Sequence, residues 1–144
     1  MAANNQLNAL STSFTPTLTF ATPGNLSVVY ATKVGTYLRI AETVWINIQL
    51  TCTPTFTTAS GNLRIASLPL TVSGASYIQL EQGSTGLTWP ATVQSVFGNT
   101  SNGSTFMTVQ GLRLSNSSSN FTTSAVVSGA PVTLNFSGVY LTSD

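Results

Sequence analysis

The stretch Thr43-Val44-Trp45-Ile46-Asn47-Ile48-Gln49-Leu50-Thr51-Cys52-Thr53 constrains the chain most. Val44, Ile46, Ile48, Leu50 and Cys52 fall at alternate positions, with Thr43, Trp45, Asn47, Gln49, Thr51 and Thr53 between them. Successive side chains of a strand point to opposite faces, so this pattern makes a long strand with one face in a core. A helix would scatter the same residues around its axis. β-Branched Thr, Val and Ile recur along it, and these residues favour the pleated conformation. The other face meets water or a partner, and it carries Trp45.

Composition extends this reading to the whole chain. At 144 residues it fits one domain, large enough to bury roughly 70% of its unfolded surface without disulfides or metals. Only 5% of the residues are charged, against about 25% in an ordinary domain. Ser and Thr together supply about 30%, so hydroxyls and amides replace charge as the solubilising groups. Disordered chains rely on charge and lack aromatic and β-branched residues, which excludes disorder here. Net charge is +1, and Lys33, Arg39, Arg64 and Arg113 are scattered. No basic patch for nucleic acid and no polybasic membrane signal results. Cys52 is the single cysteine; it lies on the apolar side of its strand and reads as a small buried hydrophobe. The first ten residues lack the regions of a secretory signal, and no run approaches the ~20 apolar residues of a membrane helix. The expectation is a protein made in a cytoplasm that stays soluble unless a larger assembly carries it outside.

In chain order, residues 1–13 read as a polar arm and residues 14–144 as one β-sandwich domain. Phe14 to Phe20 alternates, and Pro16, lacking an amide donor, predicts an edge strand. Thr22-Pro23-Gly24-Asn25 is a turn. A strand follows over 26–33, broken at Gly35 before Tyr37–Ala41. Pro54 is expected to end the pairing of the central strand. Leu63, Ile65 and Leu68 form a short apolar segment, and Tyr77–Glu81 another alternating one. Strands over 91–97 and 105–110 flank a turn from Gly98 to Gly103, in which Asn102-Gly103 is a hairpin signal. Ser115–Asn120 reads as a polar loop, and strands over 121–127 and 132–141 finish the domain. The predicted fold is all-β: an antiparallel β-sandwich, jelly-roll-like, of about eight to ten strands. An immunoglobulin-like sandwich is the alternative, without its cysteine pair. A parallel sheet is excluded for want of crossover helices.

Catalytic equipment is scarce. The chain has no histidine, which removes the commonest general base and metal ligand and any Ser-His-Asp triad or Cys-His dyad. Its acids are Glu42, Glu81 and Asp144. Glu42 and Glu81 are the one internal carboxylate pair a glycosidase would need, but they read as two solvated strand ends. Zinc and tight calcium sites lack ligands, and no phosphate-binding glycine loop precedes a helix. The chain is therefore expected not to be an enzyme and to hold no metal or cofactor. Asn25, Asn116, Asn120 and Asn135 match the glycosylation pattern, as a Ser/Thr-rich chain does by chance. Trp45, on the polar side of its strand, and Trp89, before Pro90, stand out as possible ligand or partner contacts, since an exposed indole commonly marks a sugar platform or a protein interface.

Tyr30-Ala31, Gly35, Tyr37, Ile40 and Val44, followed by Gly61-x-Leu63-x-Ile65-x-x-Leu68-Pro69, resemble a pattern of bacteriophage tail-fibre tips and other small phage virion proteins. The resemblance spans Phe14 to Leu70, and Phe136-x-Gly138-x-Tyr140 fits the close of such domains. Glu42-Thr43 stands where that pattern would place a small glycine-containing turn. The resemblance implies a β-sandwich that assembles as a homotrimer on a virion surface, contacting the major capsid protein or other virion proteins.

The leading expectation is a non-enzymatic capsid decoration (cement) protein that stabilises the head. A chain beginning at Met1 with no shaft favours it, and Phe14, Leu18 and Phe20 would then supply the capsid or subunit interface. The alternative is a tail-fibre tip or receptor-binding protein whose Trp45, Trp89 or loops 83–89 and 99–104 meet host glycans. A cellular lectin or adhesin module is the third. Nucleic acid and membrane are not expected partners.

Overall fold

The computed structural model describes residues 10–144. Its ten strands are β1 (Thr12–Phe14), β2 (Thr17–Thr22), β3 (Ser27–Ile40), β4 (Thr43–Thr55), β5 (Ser60–Ala66), β6 (Ser76–Leu80), β7 (Val93–Thr100), β8 (Phe106–Arg113), β9 (Ser118–Asn120) and β10 (Val132–Leu141). One three-residue 3-10 turn, Thr123–Ala125, interrupts them. All pairings are antiparallel and form one curled sheet in the order β1-β3-β4-β10-β6-β7-β8-β5-β2, with β9 beside β8. The fold is all-β, as predicted, at the level of an antiparallel sandwich or half-barrel. Among the described residues no helix is long and apolar enough to cross a membrane.

β4 is the spine. Val44, Ile46, Ile48, Leu50 and Cys52 are all buried, and Trp45, Asn47 and Gln49 face outward. Its neighbour β10 matches it residue for residue, setting Leu134 opposite Leu50, Phe136 opposite Ile48 and Tyr140 opposite Val44. Directly opposed residues share a face, so each pair closes the same apolar layer. Leu18, Phe20, Leu63, Ile65, Ile78, Met107 and Val109 complete one core from the remaining strands.

The largest departure from expectation is at the N-terminus. Phe14–Phe20 is not one strand. Pro16 splits it into β1, at one end of the sheet order, and β2, at the other. β1 pairs with the second half of β3, while β2 pairs with β5. The missing amide of Pro16 costs least where the chain leaves one partner for another. The curl is thereby drawn together, and across the seam the Leu18 amide donates to the Tyr30 hydroxyl of β3 at 3.0 Å. β2 is an edge strand, as its proline predicted. Of the expected arm, residues 1–9 lie outside the described residues, whereas Thr12 and Ser13 pair with Tyr37 and Thr36.

Gly35 does not break β3; the strand runs on through it. Gly35 is buried under the Phe14 ring, whose nearest carbons leave no room for a β-carbon. The irregularity lies between Tyr30 and Thr32, where the register with β4 shifts. Such a bulge moves the inward positions from even to odd numbers. Pro54 likewise stays within β4, opposite Val28. Gly98, Asn99 and Thr100 belong to β7 rather than to the following turn, because Met107 packs over the bare Gly98 backbone. The turn proper surrounds Gly103 (φ 77). Residues 121–127, expected as a strand, hold the 3-10 turn at Thr123–Ala125, and Ser118–Asn120, expected as loop, forms β9.

Candidate functional site

The two tryptophans occupy unlike surroundings. Trp45 lies on the outward face of β4, directly between Leu38 of β3 and Val139 of β10. The next register position brings Ile40 and Leu141 to either side of Thr43. Towards the other end the same face turns polar, with Thr36, Asn47 and Ser137 in a row. The shallow hollow here has a volume of about 380 Å³. An apolar row with an indole at its centre suits packing against protein.

Trp89 lies in the segment joining β6 to β7, among polar groups. It borders a groove of about 290 Å³ with Gln79, Glu81, Gln82, Gln94 and Val96. The segment is tied down along its length. Glu81 donates its amide to Asn135, Thr85 and Thr133 exchange two backbone bonds at 2.8 and 2.9 Å, and Thr88 donates to Ala125 at 2.8 Å. The Ser84 hydroxyl accepts from the Asn135 amide at 3.0 Å. Leu87 packs on the core below. Gly86 (φ 82) makes the close approach: a β-carbon there would sit 2.5 Å from the Pro131 carbonyl oxygen. A side chain would be excluded by both the dihedral and the contact.

The side chains along the groove are held as well. Ser137 donates its hydroxyl to Glu81 Oε1, which leaves Oε2 as an acceptor. Gln79 donates its amide nitrogen to the Val96 carbonyl at 3.2 Å, which leaves its own carbonyl free. Trp89 is 48% exposed. A half-exposed indole stacks on the C–H face of a sugar ring, and adjacent carboxylate and amide groups accept from ring hydroxyls.

The other residues singled out in the sequence fall elsewhere. Leu18 and Phe20 are 2% and 1% exposed and belong to the core. To meet a capsid or another subunit they would have to leave it. Phe14 packs edge-on against Tyr37 at 6.2 Å and covers Gly35. Glu42 lies beside Thr142, at one end of β10, whereas Glu81 lies beside Asn135. Seven residues of extended strand separate those points, about 23 Å at the usual rise, against the ~5–9.5 Å of a glycosidase pair. Cys52 is buried, and burial pushes its thiol up to about 11. Among the described residues no group of three or more His, Cys, Asp or Glu gathers as a metal site. The groove polar groups were missed by sequence reasoning. Gln79, Gln82 and Gln94 carry no spacing signal, and only the folding of two strands and one loop brings them beside Trp89.

No family model matches the sequence, and the comparison with curated proteins gives no match. Among solved structures the chain is similar to the crystal structure of Dettilon tailspike protein (gp208), with a TM-score of 0.65 and 19% sequence identity. The likeness covers 91% of this chain and 23% of that one. The chain thus spans under a quarter of the protein it resembles, and what the two share is the fold.

Proposed function

We propose that this chain is a non-enzymatic module of a phage virion surface, carried on a spike or fibre at the tail, which holds host-surface saccharide against Trp89. The observation that carries this reading is the groove itself: a half-exposed indole on a tied-down loop, flanked by Glu81, Gln79, Gln82 and Gln94. A pre-formed polar groove loses little entropy on binding. The fold likeness to a tailspike protein supports the virion assignment. In this reading the Leu38–Trp45–Val139 face packs against copies of the same chain in a homotrimer, and no cofactor takes part.

A capsid decoration protein is the second reading, favoured by that same apolar face, which suits docking on a capsid protein. The two separate in one experiment. Purified protein is titrated with oligosaccharides released from host envelope while the heat of binding is followed by calorimetry. The tail reading expects saturable binding that Trp89→Ala lowers at least tenfold and Trp45→Ala leaves in place. Binding unchanged in Trp89→Ala overturns it.

A further inference from the structure

The Thr88-Trp89-Pro90 segment borders two clefts. Trp89 lines the groove described above, while Thr88 and Pro90 line a second cleft of about 180 Å³ with Arg113, Ser119, Asn120, Thr122 and Ser124. The second cleft brings a guanidinium together with several hydroxyl and amide protons. Arg113 uses Nε on the Ser119 hydroxyl oxygen at 3.2 Å, so its two terminal nitrogens and the Ser119 proton remain to donate. Gln110 donates to Asn120 Oδ1 at 2.6 Å, which leaves the Asn120 NH₂ to donate. Thr122 and Ser124 hydroxyls share one hydrogen bond at 3.0 Å, and one of their two protons is left over.

Four backbone carbonyls around the cleft each already accept an amide. The carbonyls of Pro90, Phe121, Thr122 and Ala125 take the amides of Val93, Leu63, Ala125 and Thr88, at 2.9, 2.7, 3.0 and 2.8 Å. No carboxylate lines the cleft among the described residues. A guanidinium fork with converging hydroxyl and amide protons matches a carboxylate, which accepts through two oxygens.

We propose that this cleft takes the carboxylate of an acidic sugar, so that the saccharide held at Trp89 is one bearing uronate-type residues. The proposal deepens the saccharide reading of the Trp89 groove and rests on it.

The test uses ¹⁵N-labelled protein and three probes: glucuronate, glucose and acetate. The signals followed are the Arg113 Nε–H and the Asn120 side-chain amide. The expected result is saturable movement of both signals with glucuronate, at least tenfold weaker response to acetate, and none to glucose. Arg113→Gln should remove the Asn120 response while the rest of the spectrum stays in place. Trp89→Ala should leave the Arg113 response to glucuronate. Static signals with glucuronate overturn the proposal, as does an Asn120 response that survives in Arg113→Gln. Equal response to acetate shows a carboxylate site without a sugar and overturns the acidic-saccharide assignment. If envelope oligosaccharides still need Trp89 while Arg113 is silent, this inference fails and the groove reading stands; the opposite pattern overturns the groove reading and, with it, the assignment of the saccharide held at Trp89.

Discussion

Two backbone positions test the local account. Gly86 combines positive φ with a carbonyl oxygen 2.5 Å from its missing β-carbon. Gly86→Ala is therefore predicted to cost about 2–4 kcal/mol, the sum of left-handed strain and forced displacement. It should weaken saccharide binding as well, because the loop that carries Trp89 must shift; chemical denaturation and the calorimetric titration read the two effects. Ala41 is the converse case. It turns the β3–β4 hairpin with φ 53, a conformation that costs a non-glycine residue about 1–2 kcal/mol. Ala41→Gly removes that cost and returns part of it as chain entropy, so a net gain of about 0.5–1 kcal/mol is expected from denaturant midpoints. The strained residue lies one position before the Glu42-Thr43 pair that stood out in the sequence for lacking glycine.

At the scale of elements, the seam between β2 and β3 is held by few groups. The Tyr30 hydroxyl accepts from the Leu18 amide there, and Leu18 is buried. Tyr30→Phe leaves that amide without its partner and should cost about 1–3 kcal/mol, with faster hydrogen exchange at Leu18 as the specific signature. Strands β4 and β10 were legible in the sequence because both of their faces obey one period over their full lengths. Val132–Leu141 has the bounds expected from alternation. β3 was not legible, since the bulge near Ala31 switches its inward parity and Gly35 owes its place to Phe14, far away in sequence. The split at Pro16 was read only in part. A proline announces an edge, but which strands flank that edge depends on the closure of the whole sheet.

At the scale of the molecule, pH and salt should act weakly. The chain has no histidine, the side chain that ordinarily titrates between about pH 5 and 8. Stability should be level across that range. At alkaline pH it should fall. Burial pushes the Cys52 thiol up to about 11 and the Tyr140 hydroxyl up to about 12, whereas an unfolded chain releases these protons near about 8.5 and 10. The unfolded state then binds fewer protons than the fold, so stability present below about pH 9 is lost as pH rises towards 12. Thermal melts from pH 5 to 11, and at low and high salt, check both statements; with 5% charged residues, little stability rests on screened pairs.

Of the candidate site, Trp89 and its loop were legible, the indole as an aromatic beside a proline. Its amide and carboxylate neighbours come from β6, β7 and the loop between them, and the donor cleft beyond it from β8, β9 and the turn that follows. No linear spacing encodes such a meeting. The apolar row at Trp45 was half legible: the indole showed in the strand pattern, whereas Leu38 and Val139 joined it only through the register.

The proposed place of this module is a spike or fibre at the phage tail. Immunogold labelling of intact virions with an antibody to the chain tests it most directly. Label at the tail or fibre ends is the expected result. Label spread over the head would contradict it and establish the decoration reading instead.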